Sequence, residues 1–109
     1  MGAGSREDDA VVVPSVIFAS EAEADALEAF TWYEGQREGL GVQFRDAVDS
    51  AVARIAEAPL AYAVQYRDLR RVLVRRFPYA LYYRVYPSVV VVVAVVHGRR
   101  HPRVWRRRQ

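Results

Sequence analysis

The chain reads as an α+β domain: an N-terminal strand, an antiparallel two-helix hairpin packed on one face of a small, mostly antiparallel sheet, and a C-terminal three-strand meander. Three observations carry that reading. Apolar residues recur at helical spacing between residues 20 and 58, then at a period of two from residue 70 to residue 97. The strand-like runs are separated only by Pro78 and by Pro87-Ser88, links too short for anything but antiparallel neighbours. Finally, 109 residues that are 52% apolar suffice for one core and no more. We expect one domain over residues 11–109 behind a flexible leader, residues 1–10.

Residues 11–18 (VVVPSVIF) open the fold as a short β-branched strand. Pro14 has no N–H for a ladder, which places the strand at an edge or starts it at Ser15. Ser20 and Glu23 have the spacing of a capping box, in which hydroxyl and carboxylate each satisfy a backbone amide at the helix start. Beyond it Ala22, Ala26, Ala29, Phe30 and Tyr33 form one stripe, and the glycine-rich run EGQREGLG (34–41) breaks the helix. The second helix spans residues 40–58. Its inner face is Leu40, Phe44, Ala47, Val48, Ala51, Ile55 and Ala58, and Pro59 stops it.

A loop bearing Tyr62 and Tyr66 leads to strands at residues 70–77, 79–86 and 89–97. The last is apolar on both sides and belongs inside the sheet. Setting Arg76 opposite Tyr79 and Tyr86 opposite Val89 puts Val72, Val74, Leu81, Tyr83, Val85, Val90, Val92, Ala94 and Val96 beneath the helices. The opposite front then holds Arg71, Arg75, Tyr82, Arg84, Tyr86 and His97, with Val91, Val93 and Val95 among them. A slip of one residue would exchange the faces. The meander also brings Arg75, Arg76, Tyr79 and His97 to a single rim, from which the tail departs.

Charge divides the chain. Residues 1–68 hold all thirteen acids against five arginines, a balance of −8; residues 69–109 hold eleven arginines and no acid, a balance of +11. All sixteen basic residues are arginine. Any one arginine is readily a solvated side chain, but a third of a chain without a carboxylate attracts phosphates or an acidic protein. The absence of cysteine excludes a disulfide framework and a thiolate metal site, and fits an intracellular, cytoplasmic protein. No metal or cofactor is expected. The apolar run at residues 89–96 is too short to span a bilayer, and the acidic start is not a signal peptide.

The order AEADALEAFTWYE, FRDAV, RRFPYALYYR and AVVHGRRHPRVW resembles the RelE/ParE superfamily of bacterial type II toxins, over about residues 16–106. The most telling pieces are WYE at 32–34, RFPY at 76–79 and the stretch 94–105. The resemblance implies a helical hairpin on one face of a mostly antiparallel sheet and a growth-inhibiting toxin. It also implies an antitoxin, encoded beside the toxin, that wraps it and covers its basic surface. RelE-like members cut messenger RNA at the ribosome; ParE-like members inhibit DNA gyrase.

Metal-free RNA cleavage needs a base, an acid and cations around one phosphate. His97, Arg76, Tyr79 and Arg84 are the candidates for that catalytic set, with Tyr82 for stacking and Glu57 or Asp68 as a carboxylate reaching in from the loop. Against it, the chain has no lysine, which RelE-like enzymes use, and no acid after Asp68. His97 is equally read as a strand end and the tyrosines as packing. A gyrase inhibitor needs instead a recognition surface, for which Arg71, Arg75, Arg84, Arg99, Arg100, His101 and Trp105 are the candidates. The ParE-like reading therefore stands ahead of a ribosome-dependent endoribonuclease, and both ahead of a small nucleic-acid-binding module. The expected partner is an acidic antitoxin that covers the arginines and otherwise exposed valines of the front. A competing cover is the chain's own residues 102–109, anchored by Trp105.

Overall fold

A computed structural model of the protein describes residues 14–98. The leader and the tail residues Arg99, Arg100, His101 and Trp105 lie outside the described residues, as does the expected tail cover. The element order is β1 (Ser15–Phe18), α1 (Ser20–Gln36), α2 (Leu40–Glu57), β2 (Val64–Tyr66), β3 (Leu69–Leu73), β4 (Tyr79–Val85) and β5 (Val89–His97). The five strands form one sheet in the order β1-β5-β4-β3-β2. All neighbours are antiparallel except β1 with β5, and the two helices cover one face. As Pro14 requires, β1 starts at Ser15 and occupies an edge. No described helix is long and apolar enough to cross a membrane.

The capping box does not form. Ala19, not Ser20, is the N-cap of α1, and the Ser20 hydroxyl only approaches the Glu21 carboxylate at 3.4 Å. The reason is that Ala19, just beyond β1, is still extended and its N–H donates to Val92 O at 2.9 Å. The helix therefore begins at Ser20, one residue earlier than a Ser20 cap would set it, with Glu21 and Glu23 complementing the dipole at its first turn.

Glu34 ties the two helices together. Its carboxylate accepts the N–H groups of Gly39 and Gly41, both at 2.9 Å, placing negative charge at the α2 N-terminus. Gly39 holds φ = +90°, and a Cβ on Gly41 would lie 2.8 Å from Phe30 O. The glycines permit the close helix crossing, and Glu34 satisfies amides that the first turn leaves unpaired.

The core lies between the hairpin and the sheet. Phe44, Val48, Ala51 and Ile55 of α2 and Ala22 and Ala29 of α1 pack on Val72, Leu81, Tyr83, Val90 and Val92. The small residues of α1 let it sit close to the strands. The Tyr83 hydroxyl donates to Pro59 O at 2.7 Å, which anchors the loop after α2. Arg70 holds the same loop through Leu60 O at 3.3 Å and Tyr62 O at 2.6 Å.

Two register differences separate structure from expectation. The β3–β4 pairing is Leu73 with Ala80 and Val72 with Leu81, two residues away from the Arg76–Tyr79 pairing, and residues 75–78 form the turn. Pro78 cannot serve a tight two-residue turn, and a slip of two keeps every side chain on its face. The β4–β5 hairpin begins in the expected register, with Tyr86 N–H donating to Val89 O at 2.8 Å, but the register shifts by one between Tyr83–Val92 and Tyr82–Ala94. That shift is a β-bulge at Val93, and every residue from Ala94 onward changes face.

Candidate functional site

The bulge divides the residues that an unbroken alternation would gather. Val95 turns to the helix side and joins the main core, whereas Val93, Ala94 and Val96 form a second buried cluster with Leu69 on the front. His97 pairs with Tyr79, whose ring centroid is 5.2 Å away, on the helix side. The placement of His97 beside Arg71, Tyr82 and Arg84 is thus corrected. So are the sites of Val95, Ala94 and Val96, and the expectation of exposed front valines. Tyr66, Tyr82 and Val91 pack against the front cluster, and Val93 is only 9% exposed.

The front itself remains cationic. Arg71 lies opposite Tyr82 on β4, and Arg84 opposite Val91 on β5. Arg84 Nε donates to Asp68 Oδ2 at 2.9 Å, from the turn between β2 and β3. This bond holds the Asp68 carboxyl below its ordinary range and pushes the Arg84 guanidinium up; Tyr86 acts on Arg84 in the same direction. Asp68 does reach the sheet, as an ion-pair partner of Arg84. Arg75 and Arg76 are exposed in the β3–β4 turn, with Arg76 at φ = +71°.

Of the four catalytic candidates, the structure pairs His97 with Tyr79 and puts Arg76 in the turn at the same end of the sheet. Tyr79 belongs to an aromatic cluster, its ring centroid 5.2 Å from Phe44 and 6.2 Å from Tyr33. Tyr33 contacts Phe77 at 4.9 Å, and its phenol is raised above its ordinary value by burial and then by Tyr79. Arg84 is on the other side of the sheet. The rim exists as expected: Tyr79 pairs with His97, and Gly98 N–H donates to Pro78 O at 2.7 Å.

Behind that rim is a feature that sequence reasoning missed. A cleft of about 460 Å³ is lined by Asp25, Glu28, Trp32 and Tyr33 of α1, and by Tyr79, Val95 and His97 of the sheet. Asp25 Oδ2 accepts the N–H of Val95 at 3.0 Å, where β1 is too short to pair with β5. The available signal was the spacing of Asp25, Glu28 and Trp32, a polar and aromatic line beside the buried Ala22–Ala29 stripe. Reading α1 purely as cover concealed it.

The comparisons agree with this architecture. The family model described as ParE toxin of type II toxin-antitoxin system, parDE, matches residues 16–102. The chain is 31% identical over 81 residues to Toxin ParE2 of Mycobacterium tuberculosis, in strains CDC 1551 / Oshkosh and ATCC 25618 / H37Rv, covering 73% of this chain and 77% of the relative. It shares its fold with a chain of the chromosomal ParDE TA system from P. aeruginosa, at TM-score 0.70 and 13% identity over 78% of this chain and 96% of that one. With the family model spanning nearly the whole described fold, this chain belongs to the ParE toxin family of type II toxin–antitoxin systems.

Proposed function

We propose that the protein stops growth by inhibiting DNA gyrase in the cytoplasm and is held silent by a cognate antitoxin. The observation that carries this reading is the partition of the sheet. Arg71 and Arg84 stand on the front, while His97 and Tyr79 face the helix side. Acid–base cleavage of RNA needs proton-transfer groups and cations within hydrogen-bond reach of one phosphate. A bulge that puts the histidine and Arg84 on opposite sides of a strand disfavours that assembly. A recognition surface has no such requirement: Arg71, Arg84, Tyr82 and Tyr86 together supply charge, planar hydrogen bonding and aromatic area. The same surface suits an acidic antitoxin segment that orders on binding.

The test is induction of the chain alone in bacteria, followed by supercoiling with purified gyrase and mapping of message on translating ribosomes. Loss of supercoiling with intact message is the expected result, relieved by Arg71→Glu with Arg84→Glu. Message cuts that vanish in His97→Ala would replace this reading with the ribonuclease. Binding to naked nucleic acid that weakens steeply with salt, without either effect, would assign a nucleic-acid module.

A further inference from the structure

The centre of the front is buried more deeply than the described elements around it account for. Val96 is 6% exposed and Ala94 fully buried, both in the front cluster. Yet the positions around Val96 are small: Ala94 and Gly98 lie two residues away on either side, and Ala80 stands opposite on β4. On its other flank β5 has no strand beside Val96, because β1 pairs only as far as Val92. The helices pack on the opposite face, and Arg70 and Tyr83 hold the loop after α2 there. Tyr82, opposite Ala94, walls one side only. Front positions farther out show what an uncovered side chain looks like: Leu73 on β3 is 59% exposed and Ile17 on β1 is 51% exposed. The shielding is therefore a strip along the rim end of β5 and β4.

Burial within a single chain calls for a cover from that chain. Residues 1–13 join the sheet at the wrong end: Ser15 pairs with Val89, seven residues along β5 from Val96, and this leader contains no aromatic side chain. The other segment, residues 99–109, leaves at Gly98, two residues past Val96. Seven extended residues span about 23–25 Å, and Ala94 lies only about 13 Å back along the strand, so Trp105 has length to spare for a reversal. Val104 and Trp105 stand between Arg103 and Arg106. An apolar pair so placed can face valines while the guanidinium groups reach water. We infer that residues 99–109 fold back across the front and cover Val93, Ala94 and Val96, with Trp105 as the anchor. The tail arginines then join Arg71 and Arg84, so a partner meets a composite surface of tail and sheet. This holds whichever target the front serves.

Two measurements on the full-length chain test it. The protein has two tryptophans, so Trp32→Phe leaves Trp105 as the sole indole. Its fluorescence is expected to resist acrylamide quenching severalfold better than the same tryptophan in a free peptide of residues 99–109. Nuclear Overhauser contacts are expected between the Trp105 indole and the methyl groups of Ala94 and Val96. Quenching equal to that of the free peptide, or the absence of those contacts, overturns the inference. So does protection that appears only when the antitoxin encoded beside the gene is added, which would make the partner the cover. Protection that fades on dilution would assign the cover to a second copy, and protection lost on deleting residues 1–10 would assign it to the leader; each overturns the inference as well.

The second measurement uses the arginines of the tail as trypsin sites. Cleavage of a docked segment follows the fraction of time it is open, and the anchor sets that fraction. Trp105→Ser is expected to speed cleavage within residues 99–108 about tenfold or more, as loss of a large buried ring does. Cleavage after Arg75 and Arg76, exposed in the β3–β4 turn, is the internal control for the fold and is expected to stay within about twofold. Equal tail cleavage with and without Trp105 overturns the inference. Faster cleavage confined to the tail, together with the Trp105 contacts, supports it. Neither readout uses gyrase, message or growth, so the inference and the functional reading above fail separately.

Discussion

Replacing Tyr83 with Phe removes a single atom from the centre of the fold and leaves its shape unchanged. The Tyr83 side chain is fully buried, and its hydroxyl donates to Pro59 O at 2.7 Å. The variant keeps the ring packing, so its cost is the hydrogen bond together with a carbonyl left without its partner, about 1–2 kcal/mol. For a domain of this size each kcal/mol moves Tm by roughly 4–8 °C, so thermal denaturation near neutral pH should show a fall of about 5–15 °C. The same bond makes a statement about alkali. Burial pushes the Tyr83 phenol from 10.0 up to about 12, with Arg70 opposing and Tyr62 adding to the rise. Because the folded value lies above the unfolded one, the native state holds this proton more tightly. Its contribution is fully present below pH 10 and is lost as pH rises from 10 through about 12. The wild type should therefore lose Tm more steeply than Tyr83→Phe across that window, and the two curves should converge. An unchanged Tm at neutral pH, or parallel curves in alkali, would show that the Tyr83–Pro59 bond contributes nothing to the fold.

Three further outcomes follow from particular contacts. Gly41→Ala forces a Cβ to 2.8 Å from the backbone oxygen of Phe30 and from Glu34 Oε1, so urea denaturation should show a loss of about 1–3 kcal/mol. Arg76→Gly relieves a left-handed arginine at φ = +71° and should raise the unfolding free energy read from urea denaturation by up to about 1 kcal/mol, since glycine takes that conformation without the Cβ clash. Asp68→Asn discharges the partner of Arg84. Because the Asp68 carboxyl is held low by Arg84, its contribution is present above its ordinary 3.8 and is lost as pH falls through the lowered value. The variant should flatten that acid limb, and it should bind an acidic antitoxin peptide more tightly in calorimetry, as Arg84 loses its internal competitor.

Much of the fold was legible because most of the chain carries strong patterning. Phe44, Val48, Ala51 and Ile55 recur at helical spacing and are buried as that spacing requires. Pro14, Pro59, Pro78 and Pro87 each mark an element boundary through a missing N–H or a fixed φ. The failures share a physical cause: local signals were read without the tertiary bond that overrode them. Ser20 has the right neighbours for a cap, yet Ala19 is claimed by Val92 O. Strand β2 has only three residues and no alternation; its only signal was the Arg67-Asp68 turn that lets Tyr66 pair with Leu69. The bulge was illegible for a deeper reason. A run of valines and alanine has no polar residue to show which face each position takes, so an inserted residue leaves the pattern unchanged. The candidate site inherited that error, since the position of His97 depends on how many residues precede it in β5.

Deleting Val93 tests the bulge directly. Two consecutive residues, Val93 and Ala94, now face the front, and the pairs beyond them are Tyr82 with Ala94, Leu81 with Val95 and Tyr79 with His97. Removing Val93 takes out the unpaired residue and lets Ala94 follow Val92 in ordinary alternation. Val95 stays in the core and His97 stays against Tyr79. The loss is one buried valine from the small front cluster, about 1–2 kcal/mol, partly offset by a more regular ladder. In an unbulged strand His97 would lie on the front in the wild type, and the same deletion would carry it across to Tyr79. Nuclear Overhauser contacts between the His97 and Tyr79 rings decide between the two: present in the wild type and retained on deletion, they support the bulge. Contacts absent from the wild type and gained only on deletion would return His97 to the arginines and reopen the case for RNA cleavage.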